Sequence, residues 1–255
     1  MTPLCVIPFG VRWLTVILVA QAACGRLAFD PRGSDGGPSY DGLVSDGLTS
    51  DAAPTDLRVH LAFEAADGFF HDAAGMRDAT CTSCPTMGLG HNAIGTAATF
   101  DGTQCVHLAA PALQPATFTF AAWVRSPMMQ QSSIYGRARE GATGVGNTFE
   151  VYTNAGATTF FVLAASRTSA GDAPLGVWHH VAGVFDGVSL TGYVDGTALT
   201  PATGSTAAIY STDDIRVGCD LNTGAESNFF TGSVDDVRLY DRPLSAAEIA
   251  ALAAM

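Results

Sequence analysis

The chain has 255 residues and a net charge of −12, and all 12 of its Lys+Arg residues are arginine. So acidic a balance argues against nucleic acid as a partner, because a phosphate backbone needs a basic stripe. The lack of lysine excludes Schiff-base and pyridoxal chemistry and Walker-type phosphate loops. With 28 Gly, 47% apolar residues and only 14% charged, the composition is that of a globular, turn-rich protein rather than a disordered one.

Residues 1–23 read as an export signal. Arg12 gives a positive flank, Trp13 to Ala20 an apolar run, and Ala22 and Ala23 precede Cys24. The run is too short for a relaxed membrane span, and Pro8 and Arg12 interrupt anything longer. Gln21-Ala22-Ala23-Cys24 resembles a bacterial lipobox, in which Cys24 is lipidated and becomes the first residue of the mature protein. Gln21 stands where Leu or Val is usual, which leaves ordinary signal cleavage nearby as the alternative. The predicted address is the cell envelope, as an outer-membrane or cell-surface lipoprotein touching the membrane through its lipid anchor alone, or else secretion. Residues 24–56 change character: Gly, Ser, Asp and Pro dominate, and no apolar period survives. Six Asp against two Arg keep this stretch solvated, and it reads as a tether. Its Asp-Gly pairs lack the fixed ligand spacing and closing Glu of a calcium loop.

From Leu57 onward, apolar and polar residues alternate between turn signals, which predicts many short strands. Thr117 to Val124 is one, and Trp178 to Phe185 another. The latter ends at Asp186-Gly187, and Leu190 to Val194 follows before Asp195-Gly196. Asp-Gly between apolar runs signals a hairpin, since Gly tolerates the positive φ of a primed turn. Val234 to Tyr240 is a further strand. One helix is predicted, at the C-terminus, where Ser245 and Glu248 have capping-box spacing ahead of Ile249 to Leu252. The fold class is all-β, a sandwich of two sheets with a single short helix.

Ala62-Phe63-Glu64, Phe100-Asp101-Gly102-Thr103, Phe118 to Val124 and Gly176-Val177-Trp178-His179-His180-Val181-Ala182 together resemble the opening motifs of a laminin-G-like domain. Tyr193-Val194-Asp195-Gly196, Gly232 to Tyr240 and Asp241-Arg242-Pro243-Leu244-Ser245 with Glu248 continue the series, in the family's order, across residues 57 to 253. The resemblance implies a concanavalin A-like jelly-roll β-sandwich of two curved antiparallel sheets, in a domain covering residues 57–255. Within it, Trp123 and Trp178 read as core anchors and Asp101, Asp186 and Asp195 as turn residues. His179 and His180 point to opposite faces of one strand and read as packing residues, and Arg238 as the partner of a neighbouring carboxylate.

Glycosidases occur in this superfamily, and such chemistry needs two carboxylates facing one bond. The chain has five Glu, at 64, 140, 150, 226 and 248, and no two are close in sequence. Gly-x-Ser-x-Gly and His-Glu-x-x-His are absent, so no catalytic residue is assigned. Cys81, Cys84, Cys105 and Cys219 are disulfide candidates, because an exported chain favours disulfides over zinc or redox use of Cys81-Thr82-Ser83-Cys84. A bridge from that loop to Cys105 or to Cys219 would staple the loop to the sheet. The resemblance also implies a structural calcium where the first strand meets the last, and Glu64 and Asp235 match its acidic ligands. For a sugar, the loop 219–230 offers Asp220, Asn222 and Asn228 to bond hydroxyls and Phe229 or Phe230 to stack on a ring. The functional expectation is a non-catalytic envelope module binding carbohydrate or a surface protein. A structural or adhesive spacer is the alternative, and a glycoside hydrolase the third reading.

Overall fold

The alternating segments pair into two packed sheets. The structure, a computed structural model, describes residues 56–64, 70–75, 77–140, 146–155, 159–204 and 207–255. The export signal, Cys24 and all of the tether but Asp56 lie outside the described residues. In chain order the first strands are β1 (Leu57–Leu61), β2 (Phe70–Asp72), β3 (Arg77–Ala79), β4 (Thr86–Leu89), β5 (Thr96–Asp101) and β6 (Val106–Leu108). The long central strands follow: β7 (Phe118–Arg125), β8 (Ser132–Ala138), β9 (Asn147–Thr153), β10 (Thr159–Ala164), β11 (Arg167–Asp172), β12 (His179–Phe185) and β13 (Ser189–Val194). Last come β14 (Thr197–Ala198), β15 (Ala202–Thr203), β16 (Ile215–Val217), β17 (Asp220–Asn222), β18 (Ala225–Ser227), β19 (Thr231–Tyr240) and helix α1 (Ala246–Leu252).

The larger sheet has the order β14-β13-β12-β7-β19-β1-β2-β3, with β15 on β13 and the β4–β5 pair on β19. The smaller runs β11-β10-β9-β8-β16-β6, and β17–β18 is a separate hairpin. The predicted all-β sandwich with one C-terminal helix is therefore what forms. Phe118, Phe120, Ala122 and Val124 of β7 meet Ile134, Phe149, Val151 and Val162 of the smaller sheet in one core. The other face of β7 is also covered at one end: Ala121, Ala182, Tyr193 and Tyr240 pack under Leu244 and Ile249 of the C-terminal segment. Burial on both faces explains why β7 reads as an almost unbroken apolar run. α1 has the capping box the sequence predicts, with Ser245 Oγ accepting from Glu248 N and the Glu248 side chain accepting from Ser245 N. The β13–β14 turn has Asp195 at φ +49° and Gly196 at +74°, the primed geometry that Asp-Gly signals.

β19 carries the one irregularity on which the rest is arranged. Asp235 pairs with Trp123 and Arg238 with Ala121, so β19 holds one residue more than β7 over this interval. The extra residue is Asp236, at φ +50°, a left-handed conformation Asp tolerates better than most side chains. This bulge resets the alternation, so that Val234, Val237 and Leu239 all reach the core. It also sits where β19 exchanges one neighbour for another, pairing with β5 through Thr231–Val234 and with β1 through Val237–Tyr240.

Two expectations need correction. Trp123 and Trp178 are not in the core: both are half-buried, and Trp123 lies outside because its neighbours Ala122 and Val124 take the inward positions. Cys81 bonds Cys84 within its own loop, so that loop is not stapled to the sheet, while Cys105 bonds Cys219. Both bridges suit an extracytoplasmic, oxidising setting, and among the described residues no helix is long and apolar enough to cross a membrane. His179 and His180 do face opposite ways: His179 Nδ1 bonds Asp195 Oδ2 at 2.8 Å, and His180 packs edge-on to Trp123.

Packing between the sheets is tight at Gly183, where an added Cβ would lie 2.4 Å from both Phe120 Cζ and Val162 Cγ1. Gly183→Ala should lower the stability of the chain by about 1–3 kcal/mol, the usual cost of overpacking, read as a lower urea midpoint at unchanged slope.

Candidate functional site

Because β19 changes partners at its bulge, the end of β1 and the start of β5 diverge and leave a gap. The segment Gly90–Gly95 folds into it, closed by Gly90 N donating to Gly95 O. A cavity of about 230 Å³ remains, lined by Glu64, His91, Asn92, Asp235, Asp236 and Arg238 among others. The structure thus brings the two predicted calcium ligands, Glu64 and Asp235, to one cavity. Glu64 Oε2 accepts from Thr96 N at 3.0 Å, and Asp235 Oδ2 accepts from His91 N at 3.1 Å and contacts His91 Nδ1 at 2.9 Å. The second oxygen of each carboxylate has no donor among the described residues. Asp236 is engaged otherwise, with Arg238 and with His60 Nε2 at 2.6 Å. Burial pushes its carboxyl up, but the hydrogen bond from His60 and the charge of Arg238 outweigh burial and hold it below the usual range. Two carboxylates with one open oxygen each are a donor set that suits a hard cation. His91 lies flat on Trp123, with ring centroids 4.4 Å apart, which fixes the loop over the sheet.

A second, more polar pocket lies at the smaller sheet. It holds about 170 Å³ and is lined by Gln131, Ser132, Glu150, Tyr152, Asp220 and Asn228, with Thr153 and Asn154 beside them. Phe149 and Val151 of β9 point into the core, so Glu150 and Tyr152 point away from it. Tyr152 pairs across strands with Phe161 of β10, and the two rings stack with centroids 5.0 Å apart. Asn147 Nδ2 donates to Glu150 Oε2 at 2.8 Å. Burial first, and the nearby Asp220 charge second, push the Glu150 carboxyl up to about 7, against hydrogen bonds from Ser133 and Asn147. Asp220 is raised in the same direction, again mainly by burial.

Of the predicted sugar-binding residues, Asp220 and Asn228 are at this pocket. Asn222 is not: it sits exposed at the end of the β17–β18 hairpin, away from the lining residues. Phe229 is also outside the lining, and Phe230 is wholly buried in the core against Phe100. The aromatic pair is instead Tyr152 and Phe161, which alternation alone presents as ordinary strand residues. A carboxylate pair absent from the sequence as neighbours is also present, because β17 carries Asp220 beside Glu150 of β9. The group of Cys105, His107 and Glu226 is no metal centre of the bonded protein, since the Cys105 sulfur is committed to Cys219. His107 Nε2 bonds Glu226 Oε1 at 2.8 Å instead.

Folding raises the Glu150 pKa above its ordinary value of 4.5, so the native state holds that proton more tightly than the unfolded chain. This contribution to stability is complete below the unfolded value and is lost as pH rises towards about 7. Thermal melts between pH 4.5 and 7.5 should therefore show the wild type losing stability relative to Glu150→Gln, at up to about 1.4 kcal/mol per pH unit.

Comparison of the sequence with curated proteins finds no match. Among solved structures, the chain is similar to domain 4 of AbnA, a GH43 extracellular arabinanase from Geobacillus stearothermophilus, in complex with arabinotriose. Identity is 17% and the TM-score 0.60, over 78% of this chain and 98% of that one. It is similar also to Trypanosoma rangeli sialidase in complex with sialic acid, at 20% identity and a TM-score of 0.60. That match covers 78% of this chain but 33% of the sialidase, so the chain spans about a third of that protein's length. The binding domain of Paraclostridial Mosquitocidal Protein 1 is similar at 11% identity and a TM-score of 0.58, over 78% of this chain and 52% of that one. These likenesses are of fold. The family model described as the Concanavalin A-like lectin/glucanases superfamily matches residues 100–250, more than half of the chain, and the protein belongs to that superfamily.

Proposed function

We propose that this protein is a non-catalytic carbohydrate-recognition module of the cell envelope, with the pocket beside Tyr152 as its sugar site. The observation that carries this is the stacked Tyr152–Phe161 pair next to a cluster of hydrogen-bonding side chains, Glu150, Asp220 and Asn228. Sugars offer an apolar C–H face and a rim of hydroxyls, and a ring platform beside carboxylates and amides answers both. The arabinanase domain of the same fold was solved with arabinotriose, which makes arabino-oligosaccharides the first probes. The pairing of Glu150 with Asp220 favours a second reading, glycoside hydrolysis, in which Glu150, raised to about 7, would serve as the acid. Glu150 is almost wholly buried and tied by Asn147, a setting that suits a fixed hydrogen-bonding role better than proton delivery.

On the same reading Glu64 and Asp235 hold one calcium ion beside the β19 bulge. When bound, the ion would neutralise the two carboxylates and tie the 90–95 loop to β1 and β19. Three non-glycine residues with positive φ surround the cavity, Phe63 (+53°), Ala93 (+62°) and Asp236 (+50°). Such conformations cost about 1–3 kcal/mol each and persist where the surroundings impose them.

Arabinotriose titrated into the full-length chain should bind, with affinity falling about tenfold or more in Tyr152→Ala, and incubation should release no shorter sugars. Release of sugar that is lost in Glu150→Gln would replace this reading with the hydrolase. Calcium should raise the melting temperature by several degrees in the wild type but not in Glu64→Gln, and chelator should reverse the gain. An equal calcium response in both proteins would remove Glu64 from the site.

A further inference from the structure

The outer face of the larger sheet holds a groove that neither site uses. Cross-strand pairing aligns Arg125 of β7, Ser233 of β19 and Thr99 of β5 in one row. Their inward neighbours Val124, Val234 and Phe100 fill the core, so this row faces away from it. Arg125 Nη2 donates to Ser233 Oγ at 3.2 Å, and Ser233 Oγ lies 3.3 Å from Thr99 Oγ1. The guanidinium sits over the Trp178 ring, 5.1 Å from its centroid. Around it the groove encloses about 350 Å³, bounded also by Pro127, Gly176 and Gly232.

The protein supplies this arginine with a ring and a hydroxyl but no anion. Arg58, Arg77, Arg238 and Arg242 each pair with a carboxylate, and Arg137 directs its donors to three backbone carbonyls. Arg125 does neither. In a chain of net charge −12, its planar fork is held by a ring and a hydroxyl, with Nε and Nη1 left without an acceptor among the described residues. Nη2 carries a second N–H beside the one given to Ser233, and that N–H together with the one on Nε or Nη1 is the parallel pair that a carboxylate fits. The volume exceeds what a bare anion needs and is that of a small-ligand pocket. Its walls add the Ser233 and Thr99 hydroxyls to the carbon surfaces of Pro127 and the glycine backbones.

We propose that this groove is a second binding site, which takes the carboxylate of an acidic sugar residue on Arg125, with the ring over the Pro127 side and ring hydroxyls on Ser233 and Thr99. The proposal rests on the carbohydrate reading for its ligand class alone; the residues are different and lie on the other sheet. Gly176 at φ +78° has open space where a side chain would stand, so the rim of the groove is clear on that side.

The test is calorimetric titration of the full-length chain with galacturonate, glucuronate, galactose and acetate, in the wild type, Arg125→Gln, Arg125→Lys and Tyr152→Ala. The acid sugars should bind the wild type, and both should weaken about ten- to a hundredfold in Arg125→Gln, the range of a lost charge-assisted pair. Arg125→Lys keeps the charge and should still lose several-fold, because the fork is gone. Tyr152→Ala should leave acid-sugar affinity unchanged while weakening arabinotriose, which separates failure here from failure of the other site. Four results would overturn the proposal: no binding of either acid sugar, galactose binding as tightly as galacturonate, acetate binding as tightly as galacturonate, or acid-sugar affinity unaffected by either Arg125 variant. Should Arg125→Gln not fold, as judged by its melting transition, the lysine variant carries the comparison.

Discussion

The bulge at Asp236 is the constraint from which the rest of the larger sheet follows. β19 is its central strand, and the strands on either side of it depend on its phase. Without the extra residue, strict alternation after Val234 would turn Asp236 and Arg238 toward the smaller sheet and leave Val237 and Leu239 outside. Burying those charges would cost far more than the two aliphatic side chains contribute. With it, the charges meet each other outside, and Arg238, Asp236 and His60 form a paired group at the surface of the core. The same residue marks the point at which β19 leaves β5 for β1, so one backbone irregularity both rescues the packing and opens the cavity beside it.

Function in this architecture is confined to the faces that the core leaves free. The larger sheet is buried twice, inward against the smaller sheet and outward, over part of its face, under α1. Part of what remains outside is the strip from the Arg125 row to the His91–Trp123 stack. On the smaller sheet, side chains of β9 and β10 that point away from the core are free to form a platform, and Tyr152 and Phe161 do so because their strands pair in register. The Tyr152, Phe161 and Arg125 side chains lie outside the central core.

Much of the fold was legible because strands and hairpins are local. β12 and β13 follow from alternation and Asp-Gly, and α1 from Ser245 and Glu248. What stayed hidden depended on pairing between segments distant in sequence. Glu150 and Asp220 could not be recognised as neighbours before β9 and β17 were placed, and Tyr152 gave no sign that Phe161 stacks on it. Trp123 was misplaced for a different reason: with apolar residues on both phases of β7, alternation does not say which side is inward. The bulge, by contrast, left a trace. Val234-Asp235-Asp236-Val237 separates two aliphatic residues by two acids, a break in period that a strand ending in the core must absorb somewhere. Glu64 and Asp235 were reached through resemblance, and it was the partner exchange of β19 that brought them to one cavity.

An arginine-only cation set has consequences of its own. Guanidinium groups stay charged at any pH the fold survives, and they bind planar acceptors in pairs. Most of those described here are engaged within the structure: Arg77 closes on the buried Asp72, Arg242 ties the segment before α1 to the capping Glu248, and Arg137 gathers three carbonyls where it is almost wholly buried. Arg137 thus trades hydration for several directed hydrogen bonds, which is how a strongly charged group is accommodated below a surface. Arg125 has the same side chain in a groove where the protein supplies a ring and a hydroxyl but no anion. The chemistry that completes Arg77, Arg137 and Arg242 from within must, at Arg125, come from solvent or from a ligand, and the shape around it admits a ligand.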